Sequence, residues 1–473
     1  MTKQYKTTIG IEIHVQLNTK TKMFCSCDND SRSSEPNTNI CPVCLGFPGT
    51  LPVINGAAVR SAIKLGLALN AQIATDTKFD RKNYFYPDLP KGYQISQFDQ
   101  PIVGEGHVEL LVDGEWQTIG VERAHLEEDA AKLIHPAGKD YSLVDYNRGG
   151  TPLIEIVSKP EIHSPAAAKR YLQEIYNIAM SLGITDGDME HGNFKFDLNV
   201  SVSDTDKLGA KVELKNLNSF RNAERALSFE IKRQIEMKNN GETIDQETRG
   251  WDDAKSRTFS QRGKEMAHDY RYFPEPDLPP LKVTSAMIDE VRTTLPALPL
   301  EVRKRLHELG ISSDDQDLLI GQPQTLQIFD DAADELEKPE LVKKAVNWLV
   351  GDYQPQVVVG NQQLSGKNLA QLILLVESGD ISSKIAKDIF SDVTKGQAPE
   401  VIVQERGLKQ VSDTGELETI IKEVLDKNPQ AIEDYRAGKA QALGFLVGQV
   451  MAATRGQANP GLANKLLVEY LQT

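Results

Sequence analysis

The stretch Ile9-Gly10-Ile11-Glu12-Ile13-His14-Val15-Gln16-Leu17 alternates without a break, with an apolar residue at every odd position. A side-chain period of two belongs to a strand with one buried face, so Glu12, His14 and Gln16 share the other. The same alternation returns in Phe196-Asp197-Leu198-Asn199-Val200-Ser201-Val202, which sets Asp197 beside Asn199. It returns again in Lys211-Val212-Glu213-Leu214-Lys215-Asn216, which puts Lys211, Glu213 and Lys215 on one side. Between the first strand and these two lies His125-Leu126-Glu127-Glu128-Asp129, three consecutive carboxylates close to a histidine. One polar strand face is ordinarily just solvated. Three that carry charge, with an acidic cluster between them, predict a sheet whose concave side is a working site. Carboxylates with an imidazole suit a hard cation such as Mg2+ or Mn2+, and lysines beside them suit phosphate.

Two further segments bear on that site. Lys78-Phe79-Asp80-Arg81-Lys82-Asn83-Tyr84-Phe85-Tyr86-Pro87-Asp88 interleaves bases with aromatics, a composition that suits stacking on a base while neutralising a phosphate, and equally suits a tightly packed tyrosine-rich loop. Asp269-Tyr270-Arg271-Tyr272-Phe273-Pro274-Glu275-Pro276-Asp277-Leu278-Pro279-Pro280 is stiffened by proline and excluded from regular helix or sheet. It is either a linker or a rigid loop lining a site.

All four cysteines lie near the start: Cys25-Ser26-Cys27 and, thirteen residues on, Cys41-Pro42-Val43-Cys44. In a reducing compartment such clustering argues for a metal over disulfides. Two thiolate pairs supply the tetrahedral sulfur cage that zinc prefers. Cys41-x-x-Cys44-Leu45-Gly46 has the form of a zinc knuckle, although the single residue inside the first pair is a tighter spacing than usual. A site closed by four sulfurs is structural. Unmetallated thiols and an iron–sulfur cluster are the other readings.

The 473 residues suggest about three domains. With 40% hydrophobic and 26% charged residues the composition is that of a globular protein. No apolar run approaches the ~20 residues of a membrane span, and Met1-Thr2-Lys3-Gln4-Tyr5-Lys6 lacks the apolar core of a signal peptide, so a cytoplasmic protein with no membrane partner is expected. The balance of 53 Lys and Arg against 68 Asp and Glu, a formal charge of −15, excludes a uniformly basic nucleic-acid coat. Residues 406–473 carry no net charge, and Tyr435 to Val468 holds Arg436, Lys439, Arg455 and Lys465 with no acidic residue. Such a stretch either meets a phosphate backbone or is the solvated face of a helix pair.

After about residue 290 the alternation gives way to helical spacing over 298–309, 341–350, 368–376, 417–425, 440–453 and 462–471, with Gly396 to Gly415 irregular enough for a hinge. Ser382-Ser383-Lys384 is a capped helix start. There is no Walker A motif (Gly360 to Lys367 has one residue too many and runs into Asn368), no Rossmann fingerprint, no Gly-x-Ser-x-Gly elbow and no Gly/Ser-rich amidase stretch. If ATP binds, an unorthodox site holds it.

Several motifs, in order, resemble one family. Ile9 to Val15, Phe79 to Asp88, Tyr93-Gln94-Ile95-Ser96-Gln97-Phe98-Asp99, Asn147-Arg148-Gly149-Gly150-Thr151-Pro152-Leu153-Ile154-Glu155-Ile156, Glu213 to Phe220, Asp269 to Asp277, Phe445-Leu446-Val447-Gly448-Gln449 and Gly456-Gln457-Ala458-Asn459-Pro460 are similar to the GatB family, one subunit of the bacterial tRNA-dependent amidotransferase. The likeness spans essentially the whole chain and departs at Lys195 and Phe196, where many relatives carry Arg and Cys. A lysine keeps the charge but loses the bidentate fork, while Phe196 falls on the apolar face and reads as core.

The resemblance implies an α+β fold: a mixed or antiparallel-sheet cradle with a zinc knuckle over 1–293, a helical domain over 294–405, and a small helical tRNA-gripping tail over 406–473. It also implies an ATP-dependent carbon–nitrogen ligase with glutamine as amido donor. In that family the cradle phosphorylates the side-chain carboxylate of Glu-tRNA(Gln) or Asp-tRNA(Asn). Ammonia from an amidase partner, in a heterotrimer with a small third subunit, then displaces the phosphate. On this reading Glu12, His14 and Glu128 hold Mg2+ across the ATP phosphates, Lys82 and Lys215 steady developing negative charge, and Glu127, Asp197, Asn199 and Glu213 complete the nucleotide face. The zinc of some members maps to Cys25, Cys27, Cys41 and Cys44. A non-catalytic tRNA-binding scaffold and a metal-dependent nucleotide hydrolase are the competing readings. A scaffold has no use for converging acidic groups, and a small-molecule enzyme has none for an acid-free tail.

Overall fold

Ile9, Ile11, Ile13 and Val15 are all buried, and they sit on a strand that runs Lys6–Gln16. It pairs antiparallel with Phe194–Ser203 on one side and Pro152–Ser158 on the other. The full sheet has eight strands in the spatial order Arg257–Gly263, Glu247–Asp252, Val212–Lys215, Phe194–Ser203, Lys6–Gln16, Pro152–Ser158, Glu115–Glu128, Gly106–Val112. Every neighbouring pair is antiparallel except Val212–Lys215 with Glu247–Asp252, which is parallel. Helices Gly56–Ala68, Pro165–Ser181 and Phe220–Asn239 share one core with the apolar face of this sheet. Their N-termini are capped by the side chains of Asn55, Ser164 and Ser219, which satisfy amides that would otherwise be orphaned. Because the apolar face takes the helices, the charged residues collect on the other face. Phe196 is core, packed against Phe194 and Phe220.

The computed structural model describes residues 4–263, 269–354, 363–408, 414–439, 441–454, 458 and 460–472. The proline-rich segment is no linker. Phe273–Pro274 pairs with Asp80–Asn83, which pairs in turn with Tyr93–Ser96, and Leu281–Lys282 pairs with Asp76–Thr77. Arg81 forks onto both oxygens of Glu275 at 2.7 and 2.8 Å, and the Glu275 side chain is fully buried. Such bidentate charge-assisted bonds fix geometry as well as energy, so the segment is a rigid strap built onto residues 76–83.

The chain divides into two units, Met1–Val302 and Arg303–Thr473. The first runs past the expected boundary at 293 because Leu295 and Leu298 pack against its core. Among the described residues of the second, every regular element is a helix, including Pro339–Asn347, Gly366–Glu377 and Ser383–Val393. Ser382 caps the last of these, its Oγ accepting from the Ile385 amide. The expected hinge holds a helix, Pro399–Glu405, whose Ile402 and Val403 are buried; its period is short and flanked by glycines that hide it. Helices Thr414–Lys427, Pro429–Arg436, Gln441–Ala453 and Pro460–Gln472 form a separate core around Leu417, Ile421, Leu446, Val450 and Leu467. Arg455 lies outside the described residues. Mixed sheet first and helices after make the fold α+β.

Candidate active site

Cross-strand register sets the site. His14 lies opposite Glu155 on one neighbouring strand, and Glu155 lies opposite His125 on the next. Gln16, Leu153 and Glu127 form the adjoining row. Residues directly paired across strands point to the same face, so two histidines and two carboxylates converge. His14 Nε2 is 3.4 Å from Glu155 and 3.9 Å from Glu127, and His125 Nε2 is 3.6 and 3.8 Å from the same two carboxylates. Ser96 Oγ donates to Glu127 at 3.2 Å. One ligand atom each from His14, Glu127 and Glu155 falls within a 4.8 Å cluster. Buried His125 Nδ1 has no hydrogen-bond partner among the described residues.

The electrostatics are those of a cation-demanding site. Burial works against a charge on His14, but the hydrogen bond to Glu155 and the charges of Glu155, Glu127 and Asp197 outweigh it and raise the pKa to about 9. Burial likewise opposes ionisation of Glu155, yet His14, His125 and Lys82 hold its carboxyl well below the usual range. Lys82 reaches in from the strand Asp80–Asn83. Its own desolvation is overcome first by Glu127 and then by Tyr272 and Glu155, which keep its pKa above the ordinary lysine value.

A second polar cluster continues along the same face. Glu12 accepts from Asn199 Nδ2 at 3.0 Å. Lys215 Nζ lies 3.2 Å from Asp197 and 3.4 Å from Glu213, and Thr248 Oγ1 donates to Glu213 at 2.8 Å. Burial again opposes the Lys215 charge, and Asp197 and Glu213 raise its pKa nonetheless. Glu12, Glu127, Glu155, Asp197 and Glu213 thus bring five carboxylates to this face, offset in part by Lys82, Lys215 and the protonated His14, and bound cations would neutralise the remainder.

The four cysteine sulfurs also lie within 4.8 Å of one another, which fits a tetrahedral zinc thiolate cage. Gly46 takes φ +70° just after the last of them, and a Cβ there would meet Lys91 Cγ at 2.4 Å, so glycine is needed both for the turn and for the close approach. The Cys44 thiol is pulled down to about 5 by hydrogen bonding from Cys25, by the Cys41 amide and by Lys22, against the effect of its burial. Beside the knuckle is a small cleft of about 60 Å³ lined in part by Lys22, Cys25, Cys44, Lys91, Tyr93 and Glu128.

Residues 7–289 match the family described as the GatB/GatE catalytic domain, and residues 327–471 match the GatB domain. The chain belongs to the GatB family. It is 46% identical over 478 residues to the GatB subunit of the aspartyl/glutamyl-tRNA(Asn/Gln) amidotransferase of Persephonella marina, covering 99% of this chain and 100% of that one. It is 48% identical to the same subunit of Thermoanaerobacter pseudethanolicus, with 99% of each chain covered, and 47% identical to that of Gloeothece citriformis, with 99% of this chain and 98% of the relative covered.

In this GatB-family chain the expected ligand trio Glu12, His14 and Glu128 is not brought together. Glu128 shares the face of buried Leu126, where it pairs with Lys91 and accepts from the Ile95 amide at 2.9 Å. Alternation already carries that signal, since His125 and Glu127 stand on one face and Leu126 and Glu128 on the other. Glu127, expected only nearby, is central instead. Glu12 shares the face of His14 but belongs to the second cluster. Lys82 sits with the first cluster, and Lys215, Asp197, Asn199 and Glu213 sit with the second. Glu155 has no role in the sequence-based expectation. Its signs there are a lone carboxylate inside the apolar run Pro152-Leu153-Ile154-Glu155-Ile156-Val157-Ser158 and a place in the motif Asn147 to Ile156. Lys195 is exposed and lies opposite His14 in register.

Proposed function

We propose that this chain is the ATP-using, tRNA-handling subunit of a cytoplasmic heterotrimeric amidotransferase, a carbon–nitrogen ligase with glutamine as amido donor. Its substrates are Glu-tRNA(Gln), Asp-tRNA(Asn) or both, and its partners are an amidase subunit and a small third subunit. The observation that carries the reading is the cluster of His14, Glu127 and Glu155, three ligand atoms within 4.8 Å, with Lys82 beside it. The relatives, named as aspartyl/glutamyl-tRNA(Asn/Gln) amidotransferase subunits, supply the substrate class. No described helix is long and apolar enough to cross a membrane.

His14, Glu127 and Glu155 would hold Mg2+, which neutralises charge on the ATP phosphates when bound. An oxygen of the substrate's side-chain carboxylate attacks the γ-phosphorus and ADP leaves, giving an acyl phosphate. Ammonia from the amidase partner then attacks the acyl carbon, and inorganic phosphate leaves with its bonding pair. Lys82, held charged by Glu127 and Glu155, is placed to neutralise the transferring group. Lys215 orients Asp197 and Glu213, so its contribution is to hold the second cluster in place. The zinc knuckle is structural, closing the loop over residues 25–44. The test is ATP turnover by the purified complex with and without Glu-tRNA(Gln). Dependence on the aminoacylated RNA, lost in Glu155→Gln while glutamine hydrolysis persists, supports the reading. Turnover indifferent to RNA overturns it.

A further inference from the structure

The aromatic residues of the strap and of the segment after Lys78 meet in space, and the chemistry above makes no use of them. Tyr84 lies edge-on to Tyr270 at 5.9 Å, Tyr270 edge-on to Tyr272 at 6.2 Å, and Tyr272 stacks flat on Phe98 at 4.3 Å with 9° between the planes. The middle of this run approaches the first cluster, because Lys82 Nζ stands 5.0 Å over the Tyr270 ring. The outer end is open, with Phe98 56% exposed although Tyr272 covers one of its faces.

Phe98 is not a floppy surface residue. Its amide donates to Asp80 Oδ2 at 3.0 Å, and the Asp80 carboxylate is itself buried and paired with Lys78. Two residues before it, Ser96 donates to Glu127, and two residues span at most about 7 Å of backbone. The Phe98 backbone therefore lies within about 7 Å of Ser96, which contacts the carboxylate cluster, and its ring is both held and exposed. Held aromatics with an exposed face are how proteins seat unpaired bases. A free nucleotide's base is ordinarily enclosed, since small-molecule sites bury most of their ligand. An open platform suits a chain end that arrives tethered to a larger RNA.

We propose that the outer face of Phe98, backed by Tyr272, carries the 3′-terminal base of the aminoacylated RNA and thereby sets the esterified side-chain carboxylate beside Lys82 and the cation cluster. This rests on the phosphoryl-transfer reading. The test uses the intact complex with Phe98→Ala and Phe98→Trp. Michaelis constants are measured for Glu-tRNA(Gln) and for ATP, alongside binding of an RNA carrying 2-aminopurine at its 3′ end, whose fluorescence falls on stacking. Phe98→Ala should raise the Michaelis constant for the RNA roughly tenfold and abolish the quenching, with the constant for ATP unchanged and Phe98→Trp restoring both. A rise in the constant for ATP alone would assign the platform to the nucleotide and overturn the proposal. Unchanged constants with persistent quenching would overturn it too. Quenching needs no turnover, so it judges Phe98 even where RNA-dependent ATP use fails and the phosphoryl-transfer reading falls with it.

Discussion

Cation binding at the first cluster should compete with a proton on His14. With its pKa at about 9, the metal-free imidazole is neutral in only about one molecule in a hundred at pH 7. A metal ligand must be neutral imidazole, so apparent affinity should fall about tenfold for each pH unit below 9, leaving it on the order of 100-fold weaker at pH 7 than on the plateau above. Calorimetric titration of the chelator-treated complex with Mn2+, in buffers of differing ionisation enthalpy, reads both quantities. About one proton should leave per cation at pH 7 and about half that number at pH 9. The sign for stability runs the other way. A raised folded-state pKa gives the metal-free protein a contribution that is complete below about pH 6.5 and lost as pH rises through about 9. Glu155→Gln removes the hydrogen-bond partner that raises the pKa, so it should flatten the slope between pH 7 and 9 as well as weaken binding. Affinity that is flat across that range in the unmodified protein would refute the assignment of His14 as a ligand.

Exchanging the two adjacent glutamates should separate chemistry from structure. Glu127→Gln should lower cation-dependent ATP turnover by about 100-fold or more, whereas Glu128→Gln should leave cation affinity intact but strip a largely buried lysine, Lys91, of its partner and cost about 3 kcal/mol in a denaturant titration. Cys44→Ser should abolish stoichiometric zinc in metal analysis and lower the melting temperature, because metal binding energy in a closed thiolate site is folding energy. Removing residues from 406 onward should weaken tRNA binding far more than ATP binding. Within that region Lys465, which is exposed, should contribute more to the salt dependence than Lys439, which already pairs with Asp434 at 2.9 Å; taking away one phosphate-neutralising charge flattens the log–log slope by about one.

Much of the site is legible in the amino-acid sequence because strand parity is local. Ile9 to Leu17, Phe196 to Val202 and Val212 to Lys215 each declare which residues share a face, and the fold keeps Glu12 with His14, Asp197 with Asn199, and Glu213 with Lys215. The four cysteines are legible for the same reason, since a short loop brings close spacings together whatever surrounds it. The proline-rich strap is ambiguous in sequence because its partner, Asp80–Asn83, lies nearly two hundred residues away.

By itself, then, the sequence determined the faces of the alternating strands, the longer periodic helices and the family; periodicity and motif are properties of neighbouring residues. Which strands become neighbours, and in what register, only the tertiary structure decided. Glu155 meets His14 because Pro152–Ser158 lies between Lys6–Gln16 and Glu115–Glu128 and pairs with both, a choice made by the shared core beneath all three strands. Glu128, one residue from Glu127, falls to the other side because its strand must keep Ala124 and Leu126 in that core. A one-residue step along a strand reverses the direction of a side chain, and burial of the apolar face, not the chemistry of the polar one, fixes which way each carboxylate points.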